Sequence, residues 1–161
     1  MECRFAFMKP LIILILTFGI ALIVLRLVGG GFEYALSGRI AMSVMLLFTA
    51  LGHFLYTKGM AMMIPAGLPF REGVIYVTGL IEIGAAVGLL IPWSRVTTGW
   101  FLIIFFILML PANIYAAVKR VNLQKATYDG NGLSYLWFRI PLQILFIVWT
   151  YYFAIAKDLP F

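Results

Sequence analysis

Charge is scarce in this sequence. Asp and Glu number six, Lys and Arg twelve, and together they make up 11% of 161 residues. A soluble domain carries about 25% charged residues, so this chain lacks the polar surface that water requires. Histidine and cysteine occur once each, as His53 and Cys3. A lone cysteine excludes an internal disulfide and a multi-cysteine metal centre. A lone histidine excludes paired-histidine zinc sites, and one histidine with one glutamate would leave a metal short of ligands. A nucleophile elbow, a phosphate loop and a dinucleotide fingerprint are also missing. No metal site is expected.

What is abundant is hydrocarbon. The chain is 64% hydrophobic, with a mean hydropathy of +1.06, against about 45–50% apolar residues in soluble domains. The expected fold class is all-α, a polytopic membrane helix bundle. The net charge of +6 does not indicate nucleic acid. The basic residues stand singly at the ends of apolar runs, as they do beside membrane helices. The partner they imply is the lipid bilayer.

A span needs about 20 apolar residues. Five runs reach that length, at 10–28, 39–58, 74–92, 97–118 and 138–156. The first follows Arg4 and Lys9 and resembles a signal peptide. Its apolar stretch of about 16 residues exceeds the usual 7–15, and the only near match to a cleavage site is Ala35-Leu36-Ser37. It is expected to remain as a helix, ended by Gly29-Gly30-Gly31. The chain then divides into residues 1–38, an N-terminal transmembrane helix with its loop, and 39–161, a four-helix membrane domain.

The segment from Met60 to Arg71 is too apolar for a solvated loop, and Pro65 and Pro69 forbid a regular helix there. It should lie along the membrane surface or dip into the mouth of the bundle. Met60, Met62 and Met63 in it suit adaptable packing better than copper, which thioethers can bind. Pro111 should kink the end of the fourth run. Gly79, Gly84 and Gly88 would let helices approach closely, and Trp149, Tyr151 and Tyr152 would form an interfacial belt.

Basic residues set the orientation. Arg4, Lys9, Lys58, Arg71, Lys119, Arg120, Lys125 and Arg139 fall on one side, and Arg26, Arg39, Arg95 and Lys157 on the other. The richer side should be cytoplasmic. The protein would sit in the inner (plasma) membrane, with its N-terminus inside and its C-terminus outside.

Five polar side chains interrupt the runs: His53, Glu82, Asn113, Arg139 and Gln143. Glu82 is the most telling, because a charged group at bilayer depth costs about 3 kcal/mol on insertion scales and is held only where it faces protein or water. Helical rise places His53, Asn113 and Gln143 about 6–8 Å from the cytoplasmic ends of their helices and Glu82 roughly 12 Å. All five thus share one leaflet, and the simplest arrangement is one polar pocket open toward the cytoplasmic face. The structural alternatives are a Glu82–Arg139 ion pair locking two helices and interhelical hydrogen bonds from the two amides.

Four ordered blocks carry a resemblance. They are Gly52-His53-Phe54 with Ile64-Pro65 and Leu68-Pro69; Gly79-Leu80-Ile81-Glu82-Ile83 with Leu90-Ile91-Pro92 and Arg95; Pro111-Ala112-Asn113-Ile114-Tyr115; and Leu136-Trp137-Phe138-Arg139-Ile140-Pro141-Leu142-Gln143. Over residues 39–156 the chain resembles the DoxX-like family of small bacterial membrane proteins. The resemblance implies a four-helix core, to which this chain adds an N-terminal span. It also implies a place beside quinone-linked redox enzymes.

The expected function is therefore an accessory membrane component that binds a small amphipathic molecule, a quinone or a lipid, and associates with redox-enzyme subunits. The alternative is a membrane-embedded acid–base enzyme acting on a lipidic substrate through Glu82 and His53. A proton path is the third reading, since intramembrane carboxylates mark such routes; the paired broken helices of many transporters are missing.

Overall fold

A computed structural model describes residues 2–65, 67 and 69–156, with side chains from Met8 onward. The side chains of Cys3 and Arg4 lie outside the described set, as do Leu68 of the proline-rich segment and Lys157 at the C-terminal end. Every named element is a helix. They are α1 (Glu2–Gly29), α2 (Tyr34–Leu55), the short α3 (Thr57–Ala61), α4 (Arg71–Gly88), α5 (Arg95–Val118) and α6 (Ser134–Thr150). A π-helical turn, Tyr151–Ile155, extends α6.

Among the described residues, four segments are long and apolar enough to cross a membrane: Met8–Gly29, Tyr34–Leu55, Arg95–Val118 and Ser134–Ile155. This is the make-up of a membrane protein. The run expected at 74–92 falls on α4, which is not among these four. That helix carries Arg71, Glu72 and Glu82 within 18 residues, and it stops at Gly88, where the expected run continued to Pro92. Pro92 disfavours helical geometry at the residue before it, and the backbone turns through Leu90 N–H···O Val87 and Ser94 N–H···O Ile91 bonds.

Terminators act where the sequence put them. Gly30 takes φ +71°, the left-handed conformation that glycine adopts without a Cβ penalty, and its N–H closes on Arg26 O at 3.0 Å. α5 runs through Pro111 to Val118 without a break.

α2 is the hub. α1 and α4 pack along it, and α5 pairs with α6 and its π turn. Leu14, Met42, Met45, Leu46, Leu89 and Leu102 are fully buried at the centre. The Trp149 indole, expected in an interfacial belt, points inward. Its Nε1 donates to Gly38 O at 3.0 Å, and its ring packs edge-on against Phe18 at 5.0 Å. Tyr151 and Tyr152 are half exposed.

The α3 segment and the loop between α5 and α6 meet at one end of the bundle. A methyl built on Gly59 would lie 1.9 Å from Leu123 O, so this approach requires glycine. The loop holds its shape through an Asn122–Thr127 bridge. Asn122 Oδ1 also accepts the amides of Gln124 and Lys125.

Candidate functional site

The site begins with two helical stripes. α2 buries Ser43, Leu46 and Ala50, with His53 on the same face, and Thr57 at the start of α3 continues the row. These residues recur every three or four positions, which places them on one side of a helix. α4 buries Ile75, Thr78, Gly79, Glu82, Ala85 and Ala86 by the same rule. The stripes face each other antiparallel. Ser43 Oγ donates to Ala86 O at 2.8 Å near one end, and His53 meets Thr78 near the other.

Gly79 makes the close approach possible, since a Cβ there would stand 3.0 Å from His53 Cβ. Gly88 likewise faces Thr98 Oγ1 across the α4–α5 turn, at 2.5 Å from a built Cβ. Gly84, expected to act in the same way, has nothing within 4 Å and lies exposed.

The imidazole of His53 is held at both nitrogens. Its Nδ1 is 3.0 Å from Thr78 Oγ1, and that oxygen is also 2.8 Å from Ile75 O. The hydroxyl donates to one of the two, and the ring tautomer follows from which. Nε2 faces Glu82 Oε1 at 3.5 Å. With the ring proton on Nε2 the imidazole donates toward Glu82, and with it on Nδ1 the Nε2 atom presents a lone pair. The separation exceeds a hydrogen bond of about 2.7–3.2 Å by a few tenths of an ångström.

Glu82 is 7% exposed, and its Oε2 is buried without a hydrogen-bond partner among the described residues. A buried acceptor left open costs about 1–3 kcal/mol, and more when charged. Nothing in the packing of α2 against α4 requires that cost.

The two amides behave differently. Asn113 Nδ2 donates to Met109 O at 3.0 Å and to Gln143 Oε1 at 3.4 Å. Tyr135 Oη donates to Asn113 Oδ1 at 3.1 Å, and Gln143 Nε2 donates to Phe106 O. These residues join α5 to α6 as a connected network, the interhelical role foreseen as their structural alternative. Beside Tyr135 lies a void of about 10 Å³, room for no more than a single water.

Four of the five residues thus fall on two seams. His53 and Glu82 meet between α2 and α4, and Asn113 and Gln143 between α5 and α6. The fifth, Arg139, is half-buried on α6, with a buried Nε that has no hydrogen-bond partner among the described residues. The alternative, a helix lock between Glu82 and Arg139, is not formed among the described residues, where the ion-pair partner of Glu82 is His53. Among the described residues, no three His, Cys, Asp or Glu side chains group as a metal would need.

The Met60–Arg71 segment borders a groove of about 640 Å³ whose lining includes Lys58, Phe70 and Arg71. Among the described residues, neither His53 nor Glu82 lines it.

Thr78 and Tyr135 complete the two groups and were not singled out from the sequence. Thr78 precedes Glu82 by four residues, and Tyr135 precedes Arg139 and Gln143 by four and eight. Helical spacing from a known polar residue was the available signal.

No curated protein matches the chain, and no solved structure does. A family model described as a domain of unknown function, DUF8561, matches residues 42–154, from the middle of α2 through the π turn. The match covers more than two thirds of the sequence, and the chain belongs to this family, the domain of unknown function DUF8561.

Proposed function

We propose that the protein binds an amphipathic small molecule, a quinone or a lipid, through the His53–Glu82 pair at the α2–α4 seam. One observation carries the reading: the buried Glu82 Oε2 has no hydrogen-bond partner among the described residues. An open polar atom in an otherwise apolar seam is the kind of group that orients a ligand in an apolar site. The pair suits a quinone head. A carboxyl or an imidazolium donates to a carbonyl oxygen, and a carboxylate accepts from a hydroxyl. A quinone would supply two-electron redox chemistry when bound. The chain's residues would hold its head and keep water out.

The resemblance to the DoxX-like family supports this reading, as a four-helix core from α2 onward with α1 added to it. The family match begins at Met42 and leaves α1 outside, which agrees with such a division. In this reading α4 crosses the bilayer shielded by α2, and the basic end of the bundle faces the cytoplasm. Redox-enzyme subunits are the proposed partners.

The second reading, acid–base catalysis on a lipidic substrate, is favoured by the pairing of Nε2 with Oε1 at 3.5 Å, a few tenths of an ångström beyond direct hydrogen-bond reach of about 3.2 Å.

Native mass spectrometry of the purified protein, with thermal melting in detergent against a short-tailed quinone, tests the proposal. A copurified lipid or quinone, or a melting shift lost in Glu82→Gln and kept in Asn113→Ala, is the expected result. A protein that emerges empty and melts at the same temperature with and without quinone would sink it.

A further inference from the structure

A second polar feature lies away from the seam, at the end of the bundle where α3, the start of α4 and the α5–α6 loop converge. The groove of about 640 Å³ there is lined by Lys58, Ala61, Met62, Phe70, Arg71 and Glu72, among others. Its volume falls within the range of small-molecule sites, about 300–1,000 Å³. Among the described residues, neither Lys58 nor Arg71 is ion-paired with a carboxylate. Phe70 is 89% exposed beside them, at φ +56°, a conformation that is uncommon for a bulky side chain.

The groove opens at the level where the apolar spans end. Lys58 closely follows the Tyr34–Leu55 span, and the Arg95–Val118 span runs into the loop that carries Ala126. A groove at that level with apolar walls and an exposed aromatic side chain meets bilayer lipid, whose headgroups begin there.

The charges then select among lipids. The lining offers two cations and one carboxylate. A phosphodiester satisfies Lys58 and Arg71, a pairing in which the guanidinium can engage two oxygens. It leaves Glu72 facing a like charge unless the same headgroup brings a cation. A headgroup with both a phosphodiester and a primary ammonium satisfies all three residues. An anionic diol headgroup satisfies only two.

We infer that this groove seats the headgroup of an aminophospholipid of the phosphatidylethanolamine type, with the phosphodiester at Lys58 and Arg71 and the ammonium at Glu72. The inference does not depend on the reading of the α2–α4 seam.

The test uses the full chain in detergent. Short-chain phosphatidylethanolamine and phosphatidylglycerol of equal chain length are offered at equal concentration, and retained adducts are measured by native mass spectrometry. The wild type should retain the ethanolamine lipid about tenfold better, a ratio equivalent to about 1.4 kcal/mol. A Lys58→Gln, Arg71→Gln double variant should lose retention of both lipids. Glu72→Gln should erase or invert the preference. Equal retention of the two lipids by the wild type, a preference that survives the double variant, or displacement by millimolar inorganic phosphate alone overturns the inference.

Should a variant fail to fold, competition on the wild type decides. Soluble glycerophosphoethanolamine should displace the lipid and glycerophosphoglycerol should not. The reverse order overturns the assignment.

Discussion

Across the α2–α4 seam, His53 Nε2 stands 3.5 Å from Glu82 Oε1, while Nδ1 is tied to Thr78 at 3.0 Å. The base is therefore oriented by one helix and presented to an acid on the same helix, and only its backbone belongs to α2. Replacing one member of this trio has consequences that differ by which atom is left open.

Glu82→Gln keeps the volume and removes the buried charge, so the fold should survive with an unchanged or slightly higher melting temperature. Any quinone-induced shift should disappear. His53→Ala removes the only ion-pair partner of Glu82 among the described residues and should destabilise by about 1–3 kcal/mol, the cost of an orphaned buried polar group. The double variant His53→Ala, Glu82→Gln should recover part of that loss. Thermal melting of the four proteins closes the cycle, and additive losses would mean that the two side chains do not interact.

Two glycines on α4 give a paired test of the seam. Gly79→Ala places a methyl 3.0 Å from His53 Cβ, so α2 and α4 must part by a few tenths of an ångström. Overpacking of this kind costs about 1–3 kcal/mol. Gly84→Ala meets nothing within 4 Å and should be neutral or stabilising by up to about 1 kcal/mol, the helix-propensity difference. Equal melting temperatures for the two variants would show that the close approach at Gly79 does not matter.

The sequence revealed the membrane class, the helix order and the polar residues, because apolar runs and buried charge are local signals. It did not reveal which polar residues meet. His53, Asn113 and Gln143 share a depth along their helices, but rotation about the helix axis decides the partner, and depth carries no information on rotation. Glu82 lies on the α2-facing stripe of α4 and Gln143 on the α5-facing side of α6, so a shared level gave two seams where one chamber was expected. The α4 span was overestimated for a related reason. Its apolar run continues past Gly88 in composition, while Pro92 ends helical geometry before it. Trp149 was assigned to the interface by residue type, although its N–H finds Gly38 O inside the bundle.

The α5–α6 network should prove structural. Gln143→Ala deletes the donor to Phe106 O and the acceptor for Asn113, in a buried setting where unmade bonds cost about 1–3 kcal/mol. The variant should melt earlier by a corresponding amount and should keep any ligand shift that the Glu82→Gln variant loses. If Gln143→Ala abolishes ligand binding while the fold persists, the two seams act as one site.

Acid should loosen the loop between α5 and α6 before it affects the spans. The Thr127 hydroxyl donates to Asp129 Oδ1, and this bond, with smaller help from Asn122 and the Lys125 charge, holds the Asp129 carboxyl below its ordinary value of 3.8. A folded-state pKa below the unfolded one means that the ionised form favours the ordered loop. That contribution is complete above the ordinary carboxylate value. It fades as pH falls through the lower folded value, when the carboxylate gains a proton and stops accepting as an anion. Amide exchange at Asn122 and Gly130, whose N–H groups bond Thr127 O and Arg120 O at 2.7 Å each, reports the loop directly. Protection should drop on acidification below that range. Thr127→Val, which removes the hydroxyl, should move the onset of the drop to higher pH. Protection that stays flat through the carboxylate range in the wild type would show that Asp129 does not fasten the loop.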